Sequence, residues 1–126
     1  MTNVSTWFLR LAAFWMVIGI AFGIHMGASG DHSLKSLHAH INLLGWASMA
    51  IFALVYRVWP VLADTVLAKL HFFIYVVGHL VQMVLLFVVL KGNPGVEPAL
   101  GIISIIVGIG VLCFAINIWK NTSVEG

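Results

Sequence analysis

Charged side chains are scarce in this chain of 126 residues, which has six lysines and arginines and four aspartates and glutamates. The charged fraction is 8%, whereas a soluble domain normally carries about 25%. Hydrophobic residues make up 62% of the sequence, and the mean hydropathy is +1.10. Because so few charges could not cover this apolar surface in water, the composition predicts an integral membrane protein in contact with lipid.

Basic residues and cysteine are scarce as well, and each scarcity excludes a class of protein. No stripe of lysines and arginines could follow a phosphate backbone, so we expect no nucleic-acid partner. The single Cys113 excludes a disulfide within the chain. It lies in an apolar run, where a free cysteine is typically a small buried hydrophobic residue.

Four apolar runs dominate the sequence, namely Trp7–Met26, His40–Trp59, Leu70–Leu90 and Ala99–Trp119. Each is close to the roughly 20 residues with which a helix crosses a bilayer. Glycine, asparagine and proline mark the breaks between them. Arg10 and the small residues 27–29 also fit a cleaved signal peptide, but the first run is longer than a signal core. We therefore expect a first membrane span.

The connections are short, so neighbouring helices should run antiparallel. The sequence predicts an all-α fold: an integral membrane four-helix bundle with antiparallel up-down topology. It forms a single domain over residues 1–126, with helices at about 7–26, 38–59, 69–90 and 98–119.

The basic residues are distributed unequally between the two ends of the predicted bundle. One end carries the termini, the middle loop and Arg10, Arg57, Lys69 and Lys120, whereas the other carries only Lys35 and Lys91. Trp7, Trp59 and Trp119 also fall at the first end. Basic loops favour the cytoplasmic side, and tryptophans the interface. We expect a multi-pass protein of the inner membrane of a bacterium, with both termini cytoplasmic.

Small residues recur every four positions on two of the predicted helices. They are Gly19, Gly23 and Gly27 on the first helix, and Ser104 and Gly108 on the fourth. Such faces let helix backbones approach closely in a membrane. The spacing fits packing within one chain and packing between copies equally well.

Six histidines in so apolar a chain are unusual. Four of them, His25, His32, His38 and His40, gather at the outer ends of the first two helices. His79 lies near the middle of the bilayer, where an ionisable group is costly and typical of a functional site. By helical spacing, His71, Tyr75, His79 and Gln82 or Met83 share one face, which should contact protein, cofactor or water. The alternative is a stripe of hydrogen bonds between helices.

His38 and His40 form an H-x-H pair at the start of the second helix. Residues two apart point about 200° away from each other, so the pair can serve two pockets on opposite sides of the helix. If the helix instead begins after His40, the four outer histidines could form a copper site with Met26, since copper binds imidazole and thioether. A third interpretation is that the histidines only hydrogen-bond to lipid headgroups.

The stretch His38-Ala-His-Ile-Asn-Leu-Leu-Gly-Trp46, continuing to Ala-Ile-Phe-Ala-Leu-Val-Tyr-Arg57, resembles small proteins related to heme–copper oxidase subunit I. That subunit contains three pseudo-equivalent groups of four helices, and the second helix of a group carries metal or heme ligands. The chain is similar in length to one such group.

The resemblance implies that three copies form a homotrimeric ring that binds heme b. His38 and His40 would be heme ligands, and Asn42, Gly45 and Met49 would line the pocket on the His38 face. His79 is a further candidate for cofactor binding. The metal candidates are His38, His40, His25 and His32.

The chain lacks a segment like His-Pro-Glu-Val-Tyr and an adjacent His-His pair, so we do not expect oxygen reduction. Three functions stay open: a b-type cytochrome that transfers electrons, a copper-binding protein, or a non-catalytic subunit of a respiratory complex. The sequence does not indicate the redox partner.

The orientation can be tested with single-cysteine variants in a Cys113→Ser background. A membrane-impermeant thiol reagent added from outside should label Ser29→Cys and Asn93→Cys, because both positions follow the outer ends of spans. Thr65→Cys, in the middle loop, should stay unlabelled until the membrane is opened. The reverse pattern would place the termini outside.

Overall fold

The computed structural model describes residues 3–123, and these contain helices and no strands. The four long helices are α1 (Val4–Ser29), α2 (Lys35–Val58), α3 (Val66–Leu90) and α4 (Glu97–Asn121). Each expected helix is present, and all four are long and apolar enough to cross a membrane. A one-turn helix, Pro60–Ala63, follows α2, and a 3₁₀ turn, Pro94–Val96, precedes α4.

Local sequence signals set the ends of these helices. Gly30 adopts a left-handed conformation, with φ of 72°, and ends α1. The Thr65 hydroxyl oxygen accepts a hydrogen bond from the Ala68 N–H at 3.0 Å and caps α3. In the connection before α2, the Ser33 N–H donates to Asp31 at 3.0 Å and lowers the pKa of that carboxyl. Capping and turn residues therefore set where these helices end and begin.

Two glycines bring α1 against α2. A Cβ atom on Gly19 would lie 2.5 Å from the Asn42 side-chain oxygen, and one on Gly23 would lie 3.1 Å from His38 Nε2. No neighbour lies within 4 Å of such an atom on Gly27. Gly19 and Gly23 are therefore used for packing within one chain, which decides between the two possibilities for this part of the face.

α4 packs mainly on α3. Gly110 leaves room for the backbone of Tyr75, and Gly78 leaves room for the side chain of Val107. Near the other end of the contact, the Gln82 amide donates to the Ser104 hydroxyl at 3.0 Å. Most other α4 side chains are exposed.

Within α2, the segment Ile41–Ala47 is a π-helix. Side chains bind the carbonyls of this wider turn. The Tyr75 hydroxyl donates to the Leu44 carbonyl at 2.7 Å, and the Ser48 hydroxyl donates to the Leu43 carbonyl, also at 2.7 Å. The sequence analysis treated this stretch as a regular α-helix. π-helical turns are rare and occur frequently at functional sites.

The half of the bundle near the termini is filled by an aromatic cluster. Its members, from all four long helices, are Phe8, Phe52, Tyr56, His71, Phe72, Tyr75 and Phe114. The closest ring pair, Phe52 and His71, is edge-to-face with centroids 4.4 Å apart. Such pairs add about 0.5–1.5 kcal/mol each beyond burial.

The close contact of α1 with α2 predicts a large cost for Gly45→Ala. A Cβ atom there would lie 2.8 Å from both Cβ and Cγ of Trp15, so the substitution should destabilise the protein by about 1–3 kcal/mol. Gly27→Ala is the matched control, because its Cβ would meet nothing within 4 Å; it should be neutral or stabilise by up to about 1 kcal/mol. Unfolding in detergent, followed by circular dichroism, measures both. Equal stability of the two variants would contradict the packing.

Candidate functional site

The four outer histidines lie near one end of the bundle, but they do not converge. His25 and His32 are exposed, whereas His38 and His40 are half-buried. Within residues 3–123, no three histidine, cysteine, aspartate or glutamate side chains come together to hold a metal ion. Met26, the expected thioether ligand, is buried in the core. A single chain therefore does not assemble the copper site that the sequence suggested.

His38 points at α1 of its own chain. Its ring lies over Gly23, and one turn further along α2 the Asn42 side chain lies over Gly19. The Asn42 amide also donates to the His38 carbonyl at 2.9 Å, which fixes the amide against α1. These two residues share a face, as the spacing predicted, and helix α1 covers that face.

Gly45 and Met49 continue along α2 into the core. The free space beside Gly45 is taken up by Trp15, and a Cβ atom on Gly45 would also lie 3.3 Å from His79 Cε1. Met49 is fully buried. Trp15 thus occupies the space beside Gly45 that the resemblance assigned to a flat macrocycle.

His40 has the geometry of a prepared ligand. Its Nδ1 lies 2.7 Å from the Ser36 carbonyl oxygen, one helical turn earlier. A carbonyl can only accept, so Nδ1 carries the proton and Nε2 presents its lone pair. Ligating histidines commonly have this arrangement, with the second nitrogen tied to a carbonyl that fixes the ring. Because the ring is only half-buried, Nε2 can reach a group at the surface of the bundle.

His79 lies within electrostatic range of His40, but in the interior. Its ring is fully buried, edge-to-face with Trp15 at 4.8 Å and stacked on Tyr75 at 5.9 Å. Neither ring nitrogen has a hydrogen-bond partner among residues 3–123. Leaving a buried polar group unpaired costs about 1–3 kcal/mol. Both nitrogens of this ring lack a partner among the described residues, so His79 bears this cost twice.

His71 has a different environment from that of His79. The Tyr56 hydroxyl lies 2.8 Å from its Nδ1, and rings of the aromatic cluster, including Phe8 at 5.0 Å and Phe114 at 4.8 Å, enclose it. An iron or copper ion could not approach Nε2 without displacing these rings. His71 therefore belongs to the core, although it shares the buried stripe with His79.

One buried polar residue was not singled out in the sequence. Asn117 is fully buried near the end of α4, and its amide donates to the Leu62 carbonyl at 2.9 Å. Its signal in the sequence is an amide side chain within the apolar stretch 105–118. Gln82, on the predicted stripe, donates to Ser104, but its side-chain oxygen has no partner within the described residues.

Comparisons with protein family models, curated proteins and solved structures find no match to this chain. None of these comparisons links the chain to heme–copper oxidase subunit I, so the resemblance of the stretch from His38 to Arg57 stays a prediction.

A structural role for His71 makes a stability prediction. Tyr56→Phe should destabilise the protein by about 1–3 kcal/mol, because it leaves His71 with both ring nitrogens unpaired in the core. Adding His71→Phe should recover most of that loss, since neither polar group then stays unpaired. Unfolding of the single and double variants in detergent measures the difference. If Tyr56→Phe alone is neutral, the hydrogen bond does not support the fold.

Proposed function

We propose that this is a multi-pass membrane protein whose four long helices cross the bilayer in antiparallel up-down order. The proposal places it in the inner membrane of a bacterium, with both termini in the cytoplasm. Its support is the length and composition of the helices, together with their exposed apolar side chains. Ile24, Leu54, Phe73 and Ile105 are each 60–67% exposed, a surface suited to lipid.

Within that membrane protein we propose a binding site for heme b, which His40 would hold through Nε2. The observation that carries this proposal is the hydrogen bond that holds the His40 ring to the Ser36 carbonyl and leaves Nε2 available. A bound heme would supply one-electron transfer, and the protein would tune it through imidazole ligation and burial. The residues of this chain hold the ring in place and fix its tautomer.

A second residue to hold the heme would come from another copy of the chain. By helical spacing, His38 and His40 leave α2 in opposed directions. The His38 ring packs over Gly23 of its own chain, so it would have to turn away from α1 to hold the heme bound by His40 of the next copy. The interior of a single chain offers no such place, because Trp15 fills the space beside Gly45. Contacts of this head-to-tail kind close into rings, and we propose a homotrimer.

The absorption spectrum of protein purified from heme-replete cells tests the proposal. The wild type should show a sharp Soret band and α band of low-spin heme, and native mass spectrometry should count three chains. His40→Gly should lose the low-spin bands because its ring is the ligand, and added imidazole should restore them by filling the vacated place. His38→Ala should also change the bands, whereas His32→Ala, in the exposed connection, should keep them.

Each other result has a distinct meaning. A wild-type spectrum in His40→Gly would move ligation to His79, whose two ring nitrogens have no hydrogen-bond partner among the described residues. Copper without heme in elemental analysis, lost on changing His25, His38 or His40, would support the copper-binding function. Neither cofactor in the purified protein would leave a non-catalytic subunit of a respiratory complex. A monomer or dimer would remove the site between copies.

A further inference from the structure

A groove lies between α1 and α2 at the end of the bundle that carries the termini. Its volume is about 280 Å³, and it lies at the opposite end of α2 from His38 and His40. It is lined by Ser5, Thr6, Leu9, Ala53, Leu54 and Arg57. The groove therefore joins polar and cationic groups at its rim to apolar side chains further along the same two helices.

The rim of the groove has the chemistry of a phosphate site. Arg57 offers a planar guanidinium, which binds phosphate oxygens through two parallel hydrogen bonds. The Thr6 hydroxyl is a further donor lining the groove. The first turn of α1 begins at Val4, contains no acidic residue, and receives no side-chain cap from Asn3. The first backbone N–H groups of α1 therefore have no partner within the helix and can attract an anion, and Ser5 and Thr6 of this turn line the same groove as Arg57.

The floor of the groove is apolar and continues away from the rim. Leu9 of α1 and Leu54 of α2 line the groove and are 51% and 60% exposed. The Ser5 hydroxyl donates to the Ala53 carbonyl at 2.9 Å and holds the two helices together at the upper part of the floor. An occupant that fits both parts has an anionic head and a hydrocarbon chain.

We propose that this groove binds one anionic phospholipid, with its phosphate on Arg57 and an acyl chain along Leu9 and Leu54. A free phosphate would satisfy the rim but leave the floor empty, whereas a phospholipid occupies both. Four of the six basic residues are expected at this end, which also favours an anionic lipid. The lipid-binding proposal rests on the proposed membrane insertion of the four helices and does not depend on heme.

Native mass spectrometry of the full chain tests the site, using delipidated protein incubated with phosphatidylglycerol or phosphatidylcholine. The wild type should retain one phosphatidylglycerol about tenfold more strongly than phosphatidylcholine, because both lipids carry a phosphate but the choline cation of phosphatidylcholine offsets its charge. Arg57→Gln should lose this preference. Lys69→Gln is the matched control, since it removes one exposed charge at the same end but lies outside the groove.

Circular dichroism of each variant separates loss of the site from loss of the fold. Equal preference for phosphatidylglycerol in Arg57→Gln and the wild type would overturn the proposal. So would loss of bound lipid on adding inorganic phosphate, which would show that the site recognises the free anion. Labelling in the orientation experiment tests bilayer insertion separately, and the heme spectrum should be unchanged in Arg57→Gln.

Discussion

The close contact of α1 with α2 determines the surroundings of the histidines at the start of α2. Because Gly19, Gly23 and Gly45 lack side chains, α1 lies directly on one flank of α2 and Trp15 fills the space beside Gly45. The His38 ring is consequently held between the two helices, while the His40 ring is tied to the Ser36 carbonyl and stays half-buried. Of these two imidazoles, His38 is therefore the one that the packing of α1 on α2 holds in place.

The buried polar groups of the interior differ in how many of their atoms have partners. Tyr56, His71 and Asn117 each make a hydrogen bond, although Nε2 of His71 has no partner among the described residues. Neither ring nitrogen of His79 has a partner there, and the side-chain oxygen of Gln82 also has none. Of the two buried histidines on α3, His79 is therefore the one that no hydrogen bond ties to the core within residues 3–123.

The four helices could be predicted because length and hydropathy are local properties of the sequence. The buried stripe through His71 and His79 could be predicted for the same reason, since spacing along one helix determines its face. The packing of Trp15 against Gly45 could not be predicted, because it depends on which residue of α1 lies opposite Gly45. The π-helical segment was equally hidden: the Tyr75 hydroxyl that binds the Leu44 carbonyl is 31 residues away.

The π-helical segment also separates the two ends of α2 from each other. One residue corresponds to about 100° of rotation about a helix axis, so a wider turn resets the direction of every side chain that precedes it. The part of α2 from Ser48 onward carries the residues that pack in the aromatic cluster. His40 lies on the other side of the π-helical segment, immediately before it. Gaining or losing one residue between Ile41 and Ala47 would therefore turn the His40 imidazole by about 100° relative to the part of α2 that begins at Ser48.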